Sequence, residues 1–259
     1  MQAKRGQPEQ LALFLEPAER AEPAEQAEPT ERARPAAQAE PAPGASPCLP
    51  SSAAPGEKSQ SLSFPGAPEA TKREALEALA ARARECRRCG LREGCRGVVF
   101  GEGDPESDLL FLGEGPGQVE DELGRPFVGP AGQLLDRILL AVGFHREEVY
   151  ISNTVLCRPP GNRVPAPDEV AACRLWLDER LAIMRPRLIV CLGASAARNL
   201  LGPDFQLTRD RGRFYPFGEA KVMPTFHPAA LLRDPSKKRP VWEDMKQVRA
   251  EWLSLRARE

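Results

Sequence analysis

A short apolar run that ends abruptly in a glycine-rich turn constrains this chain more than any other feature. Residues 109–112 read Leu-Leu-Phe-Leu, which predicts a buried strand, and residues 113–117 follow as Gly-Glu-Gly-Pro-Gly. Ligands bind at the carboxyl ends of strands in open α/β sheets, and glycines there admit a close approach to the backbone. We therefore expect Glu114 to lie in a functional site; a plain tight connection is the alternative.

Further strand candidates alternate with helix candidates along the rest of the chain. Strands are predicted at residues 149–153, 188–192 and 221–225, with a shorter one at 98–100. Helices are predicted at residues 71–85, 130–142, 167–184, 194–201 and 240–256, the first with Thr71 as its N-cap. This alternation predicts an α/β fold in three layers, α/β/α, with a central four-stranded, mainly parallel sheet.

Residues 1–70 differ in composition from residues 71–259, which we expect to form one folded domain. The segment repeats Glu-Pro-Ala and Ala-Glu-Pro with almost no large apolar residues. It holds 6 Lys and Arg against 10 Asp and Glu, which leaves 30 against 27 for the remainder. Such a segment cannot bury enough surface to offset the entropy of ordering, so it predicts a disordered, acidic tail.

One apolar island, Gln-Leu-Ala-Leu-Phe at residues 10–14, interrupts this polar tail. An isolated apolar cluster of this kind is typical of a recognition peptide. It resembles the Gln-Leu-x-Leu-Phe peptide by which bacterial repair and replication proteins bind the DNA polymerase sliding clamp. The resemblance implies that Gln10, Leu11, Leu13 and Phe14 contact the clamp, and that the tail tethers the folded domain to it. A helical fragment of accidental composition is the alternative.

Cysteine usage and hydropathy predict the compartment. No run of eighteen apolar residues exists and the N-terminus lacks the apolar centre of a signal peptide, so we expect a soluble, cytoplasmic, monomeric protein with no membrane contact. In a reducing compartment, seven cysteines favour metal or cluster binding over disulfides.

Four cysteines form two pairs that can close a sulfur site: Cys86 with Cys89, and Cys157 with Cys173. The second pair lacks the spacing of a zinc finger and is compatible with a cubane iron–sulfur cluster. Buried thiols that pack as small apolar groups are the alternative, which suits Cys191 in its apolar strand. Cys48 is expected to be a free thiol in the tail, and Cys95 receives no role.

Several motifs together resemble the family 4 uracil-DNA glycosylases, the iron–sulfur branch of that superfamily. They are the two cysteine pairs, residues 113–121 (Gly-Glu-Gly-Pro-Gly-Gln-Val-Glu-Asp), residues 124–129 (Gly-Arg-Pro-Phe-Val-Gly), Asn153, residues 157–163 (Cys-Arg-Pro-Pro-Gly-Asn-Arg) and residues 227–229 (His-Pro-Ala). The resemblance covers residues 84–256. It implies a nucleoid-associated enzyme that removes flipped-out uracil from single- or double-stranded DNA to start base excision repair, and a [4Fe-4S] cluster on the four cysteines.

The resemblance assigns uracil binding to Gly115, Phe127 and Asn153. Phe127 would stack on the flipped ring, and the Asn153 amide would accept from uracil N3–H and donate to O4. Cytosine reverses that pattern, so Asn153 would be the residue that discriminates between the two bases. Ordinary core packing for Phe127 and a turn role for Asn153 are the alternatives.

Three residues are expected to be catalytic. Cleavage of the glycosidic bond leaves positive charge on the sugar and negative charge on the departing base. The resemblance places His227 near uracil O2, where it can stabilise that negative charge. Glu114 would steady the sugar or orient water, and Glu120 would exclude the 5-methyl group of thymine. Residue type does not decide which carboxylate activates water, and solvated loop charges are the alternative; His145 is expected to be structural.

Residues 231–239 (Leu-Leu-Arg-Asp-Pro-Ser-Lys-Lys-Arg) follow His227, and we expect them to form a DNA-binding segment. An apolar wedge, Leu231 or Leu232, could fill the space left by the flipped nucleotide. Phosphate contacts are expected from Arg158, Arg163, Arg233, Lys237, Lys238 and Arg239. A solvated basic loop is the alternative.

The chain departs from its relatives in small ways. It has His-Pro-Ala at residues 227–229 where His-Pro-Ser is common, and it lacks both the Gln after Glu114 and the inserted basic loop of the covalently trapping relatives. We therefore expect turnover. A noncatalytic four-cysteine module that binds nucleic acid and an iron–sulfur redox protein are the other candidate functions; the latter leaves Asn153, Phe127 and His227 without a role.

Overall fold

The computed structural model describes residues 70–257, in which six strands form one mixed sheet. The strands are β1 (Glu102–Gly103), β2 (Leu109–Gly113), β3 (Tyr150–Asn153), β4 (Leu188–Leu192), β5 (Tyr215–Phe217) and β6 (Ala220–Thr225). Their order is β1-β3-β2-β4-β6-β5. The four central strands are the predicted ones and run parallel, and β1 and β5 pair antiparallel at the edges. The α/β prediction is confirmed.

The edges of the sheet differ from the prediction. Neither short edge strand was expected: β1 has two residues, and β5 contains Pro216, a residue that sheets tolerate at an edge. The strand predicted at residues 98–100 is wrong, because Val99 makes only an isolated backbone hydrogen bond, from its amide to the Leu156 carbonyl at 2.8 Å.

Nine α-helices accompany the sheet within residues 70–257. They are α1 (Lys72–Arg84), α2 (Leu91–Gly94), α3 (Gln118–Leu123), α4 (Pro130–Ala141), α5 (Pro167–Met184), α6 (Ala194–Leu201), α7 (Leu207–Asp210), α8 (Pro228–Arg233) and α9 (Lys238–Arg256). The five longest are the predicted ones. Thr71 caps α1 as expected, and α9 begins two residues before its predicted start at Pro240, which a first helical turn accommodates.

Two apolar cores lie on opposite faces of the sheet. In β2, Leu109 and Phe111 pack in one core with residues of α4 and α9, while Leu110 and Leu112 pack in the other with residues of α1, α5 and α6. Alternate side chains of a strand point to opposite faces, so a strand buried on both sides reads as a continuous apolar run. The layers are therefore α/β/α.

The predicted tail, the peptide at residues 10–14 and Cys48 lie outside the described residues. Among residues 70–257, no helix is both long and apolar enough to cross a membrane.

Candidate active site

One cleft of about 730 Å³ opens at the carboxyl ends of the parallel strands. All six residues predicted to be catalytic or to bind uracil line it together, and so do Arg163 and Arg233 of the predicted phosphate contacts: the six are Glu114, Gly115, Glu120, Phe127, Asn153 and His227. They come from the ends of β2, β3 and β6, from α3, which carries Glu120, and from the loop before α4. Parallel strands bring their carboxyl ends to one edge of the sheet, which is why residues more than a hundred positions apart meet here.

Gly113 makes room for two of these side chains. A Cβ atom at this position would lie 2.4 Å from Asn153 Oδ1 and 2.4 Å from Phe127 Cζ, distances that no real side chain occupies. The glycine at the end of β2 is therefore required for Asn153 and Phe127 to approach each other.

The Asn153 amide carries an unused acceptor. Asn153 is 1% exposed, and its Oδ1 accepts no hydrogen bond from any described residue. A buried polar atom without a partner costs about 1–3 kcal/mol, so such atoms in native proteins call for an explanation. An acceptor of this kind at the cleft is complementary to a ligand N–H group.

His227 is held as a neutral hydrogen-bond donor. Its Nδ1 accepts from the Ala229 backbone N–H at 3.1 Å. Burial lowers the pKa of His227 to about 4, with the positive charge of Arg233 acting in the same direction and Glu120 opposing it. The neutral ring therefore carries its proton on Nε2 at neutral pH. The His227 ring also lies over Phe127, with centroids 5.5 Å apart and planes inclined by 32°.

The two carboxylates have different surroundings. Burial raises the pKa of Glu114, although a hydrogen bond with Ser195 partly opposes the shift. Glu120 instead binds backbone: its Oε1 accepts from the amides of Val128 and Gly129 at 3.0 and 2.8 Å. Glu120 thus fixes the loop that presents Phe127, in addition to lining the cleft.

The four predicted ligand cysteines line one small cavity beside α1 and α5: Cys86, Cys89, Cys157 and Cys173. Burial raises the pKa of the Cys89 and Cys157 thiols, and it raises the pKa of Cys173 to about 11. A metal cation would therefore be needed to keep these three groups ionised as thiolates at neutral pH.

Two neighbours complete this cysteine cavity. The indole Nε1–H of Trp176 donates to Cys86 Sγ at 3.3 Å. Cys95, which had no predicted role, packs against the apolar cluster that contains Leu91 and Cys157, whereas Cys191 is fully buried in β4 as expected of a core thiol.

The four cysteines of this cavity form a donor set that iron–sulfur clusters use. Within the part of the chain that is described, no three histidine, cysteine or carboxylate side chains enclose a bare metal ion. Four cysteine thiolates are the usual ligands of a cubane cluster. These residues therefore fit an iron–sulfur cluster.

The predicted DNA-binding segment, residues 231–239, needs correction at two positions. Leu231 is 0% exposed and belongs to the core, so it cannot act as a wedge, whereas Leu232 is 39% exposed. Lys238 is 8% exposed, so little of its side chain can reach a phosphate group. Arg233 lines the cleft, and Arg239 is exposed.

The other predicted phosphate contacts already have partners within the protein. Arg163 makes a bidentate ion pair with Glu169 at 2.7 and 2.8 Å. Arg158 donates to Asn162 at 2.7 Å, and Lys237 pairs with Asp234 at 2.9 Å. Phosphate binding by these three residues would have to compete with, or add to, these interactions.

Two residues that bear on the site, Ser195 in the cleft lining and Arg146 outside it, were not predicted from the sequence. Ser195 follows β4, so the rule that placed Glu114 and Asn153 at strand ends could have found it. Arg146 donates to the carbonyl groups of Pro126 and Phe127 from a short turn after α4, where no local pattern signals such a contact.

Comparison with known proteins agrees with this geometry. The family model of the uracil DNA glycosylase superfamily matches residues 100–246. A type-4 uracil-DNA glycosylase of Thermotoga maritima is 44% identical over 184 residues, which cover 70% of this chain and 96% of the relative. Type-4 enzymes of Sulfurisphaera tokodaii and Archaeoglobus fulgidus are each 39% identical, over 68% of this chain and 84% and 92% of their own lengths.

Proposed function

Since the chain belongs to the uracil DNA glycosylase superfamily and is a uracil-DNA glycosylase, we propose that it hydrolyses the N-glycosidic bond of a uracil turned out of single- or double-stranded DNA into the cleft. This reaction starts base excision repair. The observation that carries the proposal is the buried, unpartnered Oδ1 of Asn153, which lies beside Phe127 in the cleft that His227 also lines.

Recognition of the base rests on one amide. Asn153 Oδ1 accepts from uracil N3–H, and the amide nitrogen donates to O4. Cytosine presents an acceptor at N3 and a donor at position 4, so it would leave both Asn153 groups unpaired in a buried site. Phe127 supplies the apolar surface on which the ring stacks.

Cleavage separates charge: His227 stabilises the negative charge on the base, and Glu114 stabilises the positive charge on the sugar. As the C1′–N1 bond breaks, its electron pair leaves with uracil, and His227 Nε2–H donates to the oxygen O2 where negative charge collects. Glu114 as a carboxylate stabilises the cationic sugar and accepts a hydrogen bond from the water whose oxygen bonds to C1′. The water leaves a hydroxyl group on C1′ and its released proton goes to the uracil anion, so the products are free uracil and an abasic site.

The cysteine cavity is proposed to hold a [4Fe-4S] cluster through Cys86, Cys89, Cys157 and Cys173. When bound, the cluster supplies four iron–sulfur bonds that join the end of α1, the loop after β3 and α5. Arg158 and Arg163 lie in that loop, so the four thiolates would fix the position of two groups proposed to contact DNA phosphates.

Residues 10–14 are proposed to bind the DNA polymerase sliding clamp and so hold the enzyme near replicating DNA. Their support is the match of Gln10, Leu11, Leu13 and Phe14 to the clamp-binding peptide. In a clamp pull-down, replacement of Leu13 and Phe14 by alanine should abolish capture, whereas Gln7→Ala should not. Unchanged capture of the double variant would refute this proposal.

Excision from synthetic oligonucleotides tests the main proposal. The substrates carry uracil, cytosine or thymine at one labelled position, and alkali converts an abasic site into a strand break that a gel resolves. We expect cleavage of the uracil strand only. Binding of the uracil oligonucleotide without release of the base would instead indicate the noncatalytic nucleic-acid-binding module.

A further inference from the structure

The backbone of Phe127 adopts a conformation that its side chain disfavours. Its φ is +50°, in the left-handed region that favours glycine. The neighbouring helix packs against the same peptide, since a Cβ atom at Gly132 of α4 would lie 1.9 Å from the Phe127 carbonyl oxygen. A strained residue at a site persists only when its surroundings hold it there.

The guanidinium of Arg146 hydrogen-bonds to the backbone carbonyls of Pro126 and Phe127 and so holds this segment in place. Its Nη1 donates to the Phe127 carbonyl at 3.0 Å, and its Nη2 donates to the Pro126 carbonyl. Two carboxylates orient it from other segments: Asp136 of α4 at 2.7 Å and Glu102 of β1 at 2.6 Å. The side chains of Arg146 and Glu102 are 14% and 21% exposed, so the bond between them is largely shielded from water, whereas Asp136 is half-exposed.

We infer that Arg146 is a positioning residue, which sets the plane of the Phe127 ring and thereby the stacking surface offered to uracil. The inference rests on the proposed function. Arg146 is absent from the cleft lining, so any effect on the base must pass through the peptide it holds. A planar guanidinium can serve two carbonyls and two carboxylates at once, which a lysine ammonium cannot do in the same geometry.

Arg125 provides a matched control. It also pairs with Glu102, at 2.8 and 3.1 Å, but its side chain is 60% exposed. Within residues 70–257, the side chain that donates to the Pro126 and Phe127 carbonyls is that of Arg146. Arg125→Met therefore removes an ion pair to the same carboxylate, within the same loop, without releasing the peptide of Phe127.

The test compares Arg146→Met, Arg146→Lys and Arg125→Met by single-turnover excision and by inhibition with free uracil. Displacement of a reacting group by about 1 Å can lower a rate about a hundredfold. We expect Arg146→Met to lower kcat/KM about tenfold to a hundredfold and to weaken inhibition by uracil. Arg146→Lys should recover part of this loss, and Arg125→Met should stay within about twofold of wild type.

A double-mutant cycle separates positioning from general stability. If Arg146 acts through the Phe127 ring, Arg146→Met should change kcat/KM by less than about twofold once Phe127 is alanine. An equal fold loss in both backgrounds, or full activity of Arg146→Met, would overturn the inference. If Arg146→Met does not fold, Arg146→Lys carries the same comparison. Failure of the wild type to release uracil would contradict the proposed function itself.

Discussion

Gly113 and Asn153 are register partners at the carboxyl ends of the parallel strands β2 and β3. At the same level of neighbouring parallel strands, side chains point to the same face, so a side chain at position 113 would occupy the place of the Asn153 amide. The missing Cβ of Gly113 is thus the reason that an amide and a phenyl ring share one pocket.

Gly113→Ala should disable the pocket. The new Cβ would meet Asn153 Oδ1 and Phe127 Cζ at 2.4 Å, so at least one must move. We expect kcat/KM to fall about a hundredfold and overpacking to lower the free energy of unfolding by about 1–3 kcal/mol. Gly97→Ala, where a Cβ would meet nothing within 4 Å, is the control. Normal excision by Gly113→Ala would show that this contact is not needed.

The pH dependence of kcat/KM should report Glu114. Burial raises its pKa above the ordinary value of 4.5, so the carboxylate is lost as the pH falls through that raised value. His227 stays neutral down to about pH 4 and should not limit activity earlier. The acid limb should therefore persist in His227→Gln and vanish in Glu114→Gln. The opposite pattern would exchange the two assignments.

Alanine variants of Leu231 and Leu232 should differ in effect: loss of Leu231 should lower stability, and loss of Leu232 should lower excision from duplex DNA. Leu231 is fully buried, so Leu231→Ala should lower the free energy of unfolding by about 2–5 kcal/mol. Leu232→Ala should leave the melting temperature nearly unchanged and reduce excision more from duplex than from single-stranded DNA, because only the duplex leaves a gap to fill. Equal activity of Leu232→Ala on both substrates would refute the wedge.

The visible absorption of the purified protein tests the cysteine cavity. Cys173→Ala should lose the broad iron–sulfur absorption and the bound iron, because one ligand is missing. Cys191→Ala is the control, since that thiol is fully buried in β4, outside the lining of the cysteine cavity. Colourless wild-type protein with bound zinc, after anaerobic purification from iron-supplied cells, would contradict the cluster.

The sequence was most informative where local patterns decide structure. Apolar runs at residues 109–112 and 188–192 indicated β2 and β4, and mixed stretches at 149–153 and 221–225 indicated β3 and β6. Helix-forming stretches with caps such as Thr71 indicated the long helices within two residues of their bounds. The edge strands were missed because two or three residues carry no periodicity, and their existence depends on a neighbouring strand.

The site was predictable to the extent that strand ends and motifs reveal it. Glu114, Phe127, Asn153 and His227 were named from motifs and do line one cleft. The contacts of Arg146 could not be predicted, because they join segments up to 44 residues apart through long side chains. Side-chain burial could not be predicted either, because adjacent residues such as Leu231 and Leu232 are alike in the sequence. Only the packing of α8 shows that Leu231 is buried and Leu232 is exposed.

Single-turnover excision of uracil by Asn153→Ala tests the account most directly, because the buried Oδ1 of that amide is its central observation. With Asn199→Ala on α6 as control and melting temperatures measured for both, we predict that Asn153→Ala loses at least about a hundredfold in kcat/KM while Asn199→Ala retains wild-type activity. Full uracil excision by folded Asn153→Ala would contradict the account.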